Sequence, residues 1–161
     1  MKVYIGRYPK KADKERKVSV RIDKWDSYNA DQTLAIIIVP LLKQLQATKH
    51  GAPCVDDADV PEGLGLRSTE CKPKERAWDV DENHFKRWDW VLSEIIWVMN
   101  EIANGKPGED QFYDHSDVDE SADLGVQIGQ IKLDMQGLEA YNQRLQKGCE
   151  LFGRYYMNLW D

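Results

Sequence analysis

Three histidines in this chain stand beside carboxylates. His50 precedes Asp56, Asp57 and Asp59; His84 follows Asp79, Asp81 and Glu82; His115 lies between Asp114 and Asp117. Imidazole combined with carboxylate is a ligand set for zinc, manganese and iron. A divalent metal held by His50, His84 and Asp81 would make the protein a metal-dependent hydrolase or nuclease, and this is the alternative function the sequence allows. The motifs that carry a known mechanism are missing: there is no H-E-x-x-H, no G-x-S-x-G and no phosphate-binding glycine loop. Surface and helix-capping roles are the simpler expectation for the histidines. With 28 carboxylates in the chain, close acidic pairs are unavoidable, so spacing alone singles out no general acid–base pair. No catalytic residue is assigned, no cofactor beyond the metal is implied, and the expectation leans away from an enzyme.

The aromatic residues are the better lead. Trp25, Tyr28, Trp78, Trp88, Trp90, Trp97, Tyr155, Tyr156 and Trp160 are more than one small core hides easily. Exposed rings next to Arg or Lys stack on bases or anchor protein interfaces. Lys86, Arg87 and Trp88 form one such cluster, and Arg154, Tyr155 and Tyr156 another; these six are the candidate ligand-binding residues. The plainer alternative has the tryptophans sealing helices and loops.

Charge is distributed unevenly. Residues 1–24 carry a net +6, residues 50–125 a net −12, and the remaining segments are neutral, which gives −6 for the chain. A basic arm therefore precedes an acidic middle. The arm could bind an anion or the acidic face a basic partner, but mutual attraction within one molecule or across a dimer is the simpler account. There is no strong nucleic-acid signal.

The elements that must position these residues follow from periodicity. Val18, Val20 and Ile22 alternate with polar residues, the period of a half-buried strand. With Lys2–Tyr8 they predict a hairpin over 1–24. A lone two-stranded ribbon is marginal, so it must pack on helices or pair with a second copy. A first helix is expected over 29–50, capped by Asn29 or Asp31 and kinked or broken at Pro40. Residues 52–82 read as a loop. A second helix over 83–104 shows Phe85, Trp88, Leu92, Ile95, Met99 and Ile102 at spacings of 3 and 4. After an acidic loop, a third helix over 125–160 carries the stripe Ile128, Ile131, Met135, Leu138, Tyr141, Leu145, Cys149, Phe152, Tyr156 and Leu159. Its glycines, 129, 137, 148 and 153, mark either a close backbone approach or a break. If continuous, it would be about 48 Å long.

The fold class expected is α+β, mainly α: an N-terminal β-hairpin followed by a three-helix antiparallel bundle with long loops, all in a single domain over 1–161. This topology places His50, His84 and Arg154–Tyr156 at one end of the bundle. His115 falls at the other, roughly 30 Å away along a helix of this length. No signal peptide or membrane span is visible, and three cysteines without paired spacing suit a reducing compartment.

Several segments resemble a family of small proteins encoded by tailed bacteriophages. They are Trp25-Asp26, Asp31-Gln32-Thr33-Leu34-Ala35, Pro40-Leu41-Leu42-Lys43-Gln44-Leu45, Thr48-Lys49-His50-Gly51, Val55-Asp56-Asp57, His84-x-x-Arg87-Trp88-Asp89-Trp90-Val91 and Phe152-Gly153-Arg154-Tyr155-Tyr156. The resemblance spans nearly all of the chain beyond the hairpin and carries no catalytic or binding residue across. It implies context: a phage protein acting in the cytoplasm of a bacterial host. The expected function is a non-catalytic accessory protein, a homo-oligomer that binds a nucleotide-like small molecule or a host protein. It would serve as a counter-defence factor, for instance by sequestering a nucleotide immune signal. A virion or assembly component, with the long helix as an oligomer seam, is the remaining option.

Overall fold

The computed structural model describes residues 1–160 except 12, 75 and 77. The chain is mainly helical, with a small antiparallel hairpin at its N-terminus. Strands β1 (Lys2–Ile5) and β2 (Val18–Arg21) pair with Lys2 opposite Arg21, Val3 opposite Val20, Tyr4 opposite Ser19 and Ile5 opposite Val18. Side chains alternate across a strand. Val3, Ile5, Val18 and Val20 therefore share one face, and Lys2, Tyr4, Ser19 and Arg21 the other. All eight residues are exposed. The ribbon is moored at its base, where the Met1 α-amino group meets Asp26 at 2.8 Å.

Helix α1 (Ala30–Thr48) buries Ala35, Val39 and Leu42, spaced by 4 and 3 as one face requires. Pro40 lies inside α1 and does not end it. Its ring is exposed, so it points away from the core packing. Asn29 occupies the N-cap position but makes no side-chain cap, and the helix closes at Lys49, before Gly51. Helix α2 (His84–Ala103) is the central element, packed between α1 and the C-terminal helix α4 (Met135–Tyr155). Trp88, Val91, Leu92, Ile95 and Val98 are each fully buried, which explains why this helix is apolar on more than one side.

The third helix differs from the expectation. It is split into α3 (Leu124–Gln130) and α4 (Met135–Tyr155), with a single 3-10 turn, Tyr156–Asn158, after α4. Ile131 turns to extended backbone, and β4 (Lys132–Leu133) pairs with β3 (Tyr113–Asp114). The Asp134 amide donates to the Phe112 carbonyl at 2.9 Å. Asp134 then caps α4, its carboxylate accepting the Gly137 amide at 2.9 Å. The stripe read from the sequence drifts as well. The buried face of α4 runs through Tyr141, Leu145, Gly148, Leu151 and Tyr155, and Cys149 and Tyr156 are exposed. Gly148 marks the closest approach of α2: a Cβ there would lie 2.7 Å from Val98 Cγ1. No helix among the described residues is long and apolar enough to cross a membrane.

Candidate functional site

Residues 52–82, read from sequence as a loop, contain among their described residues the 3-10 turns Asp57–Asp59 and Ser68–Glu70. Two buried carboxylates fix this segment to the helices. Asp59, 2% exposed, accepts from Lys147 Nζ at 3.0 Å, from Arg154 Nη1 at 2.7 Å and from the Tyr155 hydroxyl at 2.8 Å. Tyr155 Oη in turn accepts the Asp56 amide at 3.1 Å. Burial alone would raise the Asp59 pKa, but hydrogen bonds from Lys147, Tyr155 and Arg154 outweigh it and hold the group below the usual carboxylate range. Burial pushes the Tyr155 phenol up to about 12; the Asp56 amide opposes this rise, and donation to Asp59 adds to it.

The second carboxylate, Asp81, accepts from both terminal guanidinium nitrogens of Arg87, Nη1 on Oδ1 at 2.8 Å and Nη2 on Oδ2 at 2.6 Å. It also accepts the Asn83 amide at 3.0 Å and the Cys71 thiol at 3.3 Å. The Arg87 hydrogen bonds hold the Asp81 carboxyl far below its ordinary value. Arg87 further donates to the Leu66 carbonyl at 3.0 Å, while its Nε has no hydrogen-bond partner and faces Asp57 Oδ1 at 4.0 Å. Asp57 is engaged by the amide of Ser68 at 2.8 Å and by its hydroxyl. Burial opposes its ionisation, yet the bonds from Ser68 keep its pKa lowered.

These partners account for most of the candidates named from sequence. Arg87 and Trp88 are buried, and Trp88 packs against Tyr155 with ring centroids 5.6 Å apart. Arg154 and Tyr155 are committed to Asp59. Lys86 Nζ donates to Asn83 Oδ1 at 3.0 Å. Of the six, Tyr156 alone lines the apolar groove described below. The candidate metal ligands His50, His84 and Asp81 do not form a site. Arg87 occupies both oxygens of Asp81. His84 Nε2 lies 3.1 Å from the Ala52 carbonyl; a carbonyl only accepts, so this nitrogen carries the proton and offers no lone pair. Among the described residues no group of three or more His, Cys, Asp or Glu side chains converges as a metal ion would require. A cleft of about 420 Å³ does open beside Arg87, but Asp56, Asp57, Asp79 and Asp81 line it against Lys74 and Arg87. That balance disfavours a phosphate-bearing ligand.

The larger concavity is apolar and lies elsewhere. Along α1, Leu34, Ile38, Leu41 and Leu45 are spaced by 4, 3 and 4, the pattern of a seam that packs against a second helix. This seam lies one residue over from the buried stripe Ala35, Val39 and Leu42, of which Leu42 also lines the groove. The chain's own C-terminal end covers it in part: Phe152, Tyr156, Leu159 and Trp160 form the opposite wall of a groove of about 500 Å³. Trp160 is seated at Gly51, where a Cβ would stand 3.2 Å from its ring. Leu34 remains 57% exposed and Leu41 68% exposed. Among the described residues that line the groove, none has a charged side chain. Sequence reasoning did not single out this seam; the doubled stripe, two faces offset by one residue, was the signal for a second contact surface.

Comparison of the chain with protein-family models, with curated proteins and with solved structures finds no match.

Proposed function

We propose that this is a non-catalytic binding protein whose α1 groove receives an amphipathic helix of a partner protein. The observation that carries this reading is the seam Leu34–Ile38–Leu41–Leu45, a helix-pairing pattern left half uncovered. A helix laid in a groove inserts apolar residues at spacings of 3 and 4, and this wall presents the matching spacing. Among the described residues the lining offers no cation to a nucleotide's phosphates, which favours a peptide face. In the context implied by the resemblance, the partner is a host protein in the bacterial cytoplasm, engaged by a phage accessory factor.

A photo-crosslinking residue at Leu41 or Leu34, introduced in bacterial cells, tests the reading. The crosslinked segment of the partner is identified by mass spectrometry, synthesised as a peptide and titrated against the purified protein. The expected segment is amphipathic, gains helicity on binding, and binds the Leu41→Glu variant at least about tenfold more weakly, the loss of one buried leucine. Equal binding to Leu41→Glu, or adducts scattered over many unrelated surfaces, overturns it. Thermal stabilisation by cyclic or linear nucleotides would favour the small-ligand alternative instead.

A further inference from the structure

The N-terminal ribbon is an amphipathic sheet whose apolar side chains stay exposed. Val3 is 38% exposed, Ile5 52%, Val18 60% and Val20 56%. Two strands alone are marginal in water and need a packed face. The ribbon is also charged, since residues 1–24 carry +6. A surface of the opposite character exists on the same molecule. Residues 106–123 carry −6, and Asp114, Asp119, Glu120 and Asp123 among them are exposed. Beside them stand exposed apolar side chains, Leu124 at 73%, Ile128 at 61% and Leu133 at 40%.

We propose that the ribbon docks on the α3 and β3–β4 end of a second copy of this chain, and that the exchange is reciprocal. Charge discriminates between the possible pairings. Ribbon against ribbon would bring two segments of +6 together, whereas ribbon against residues 106–123 matches +6 with −6 and places apolar side chains on both sides. Position allows both contacts to form at once. Ribbon and acidic segment leave the helices at the same end: the Gln32 side chain at the start of α1 donates to the Ala103 carbonyl at the end of α2, 3.3 Å away, and Asp26 ties the ribbon's base to α1 through Thr33. A twofold axis at that end lets each copy give its ribbon and receive its partner's, a closed isologous arrangement. Reciprocity doubles the area buried, which a ribbon this small requires to approach the roughly 1,000 Å² of a specific interface.

Sedimentation equilibrium of the full chain tests this. The expected result is a dimer that weakens at least about tenfold between low and high salt, because its contacts are exposed ion pairs. Val20→Glu in the ribbon and Asp114→Lys with Asp119→Lys in the receptor should each give monomers with unchanged circular dichroism. Mixing the two variants should restore a heterodimer weaker than the wild-type dimer, since one contact is intact and in the other the introduced acid meets the introduced bases. A monomeric wild type at high concentration, a dimer indifferent to the receptor substitutions, or no heterodimer on mixing each overturns the proposal.

Discussion

Asp81 and Arg87 face each other as a parallel fork, two oxygens against two nitrogens at 2.8 and 2.6 Å, with both side chains 5% exposed. Breaking one partner of such a buried pair strands the other charge. We expect Asp81→Asn or Arg87→Met to destabilise the fold by about 3 kcal/mol or more. Urea unfolding checks it, and the double variant should lose less than the sum of the singles. Losses below about 1 kcal/mol would mean the pair is wet.

Stability should respond to acid through the same carboxylates. Asp59 and Asp81 have lowered folded-state pKa values, so their contribution is complete above the unfolded carboxylate pKa of about 4 and is lost as the pH falls toward the folded values. Denaturant midpoints should be flat from neutral pH down to about 5 and fall below about 4. Asp59→Asn should flatten that fall. In base the sign reverses: Tyr155, raised to about 12, contributes fully below the ordinary tyrosine pKa of about 10, and its contribution is lost as the pH rises through the folded value. Tyr155→Phe should remove part of the alkaline loss.

Two glycines of α4 should respond oppositely to the same change. Gly148→Ala drives a methyl into Val98 and should destabilise by about 1–3 kcal/mol. Gly153→Ala meets nothing within 4 Å and should stabilise by up to about 1 kcal/mol. Thermal melts of the two variants suffice, and shifts of equal sign would contradict the packing described.

Thiol reactivity should report on the segment 52–82. In a Cys149→Ser background, Cys54 is exposed and Cys71 is half-buried. Burial pushes the Cys71 thiol up, and Asp81 pushes it further. Cys71 should lag Cys54 by about tenfold or more in disulfide-exchange labelling, because only the thiolate reacts. Asp81→Asn should shorten the lag.

The helices were largely legible. The second was expected over 83–104 and spans His84–Ala103, the first over 29–50 and spans Ala30–Thr48. Their periodicity is strong because each buries a wide face. The break at Ile131–Asp134 was not legible, since Ile128, Ile131 and Met135 keep helical spacing across it. Backbone hydrogen bonds to Phe112–Asp114 interrupt the helix, and such partners leave no side-chain signature. Asp134, three residues before Gly137, was the available cue for a new N-terminus. Arg87, Arg154 and Tyr155 were named from sequence as ligand-binding candidates; in the fold Asp81 and Asp59 engage them, and a contact between residues 59 and 154 has no local trace.

That contact also sets an order of events. The Asp59–Arg154 bonds join positions 95 apart in sequence, while α1 and α2 can pair through a much shorter closure. The entropy of the longer closure is recovered only once α4 is in place. The ion cluster should therefore be absent from the folding transition state. Asp59→Asn should accelerate unfolding and leave the refolding rate nearly untouched, so this carboxylate sets the lifetime of the native state more than the speed of reaching it.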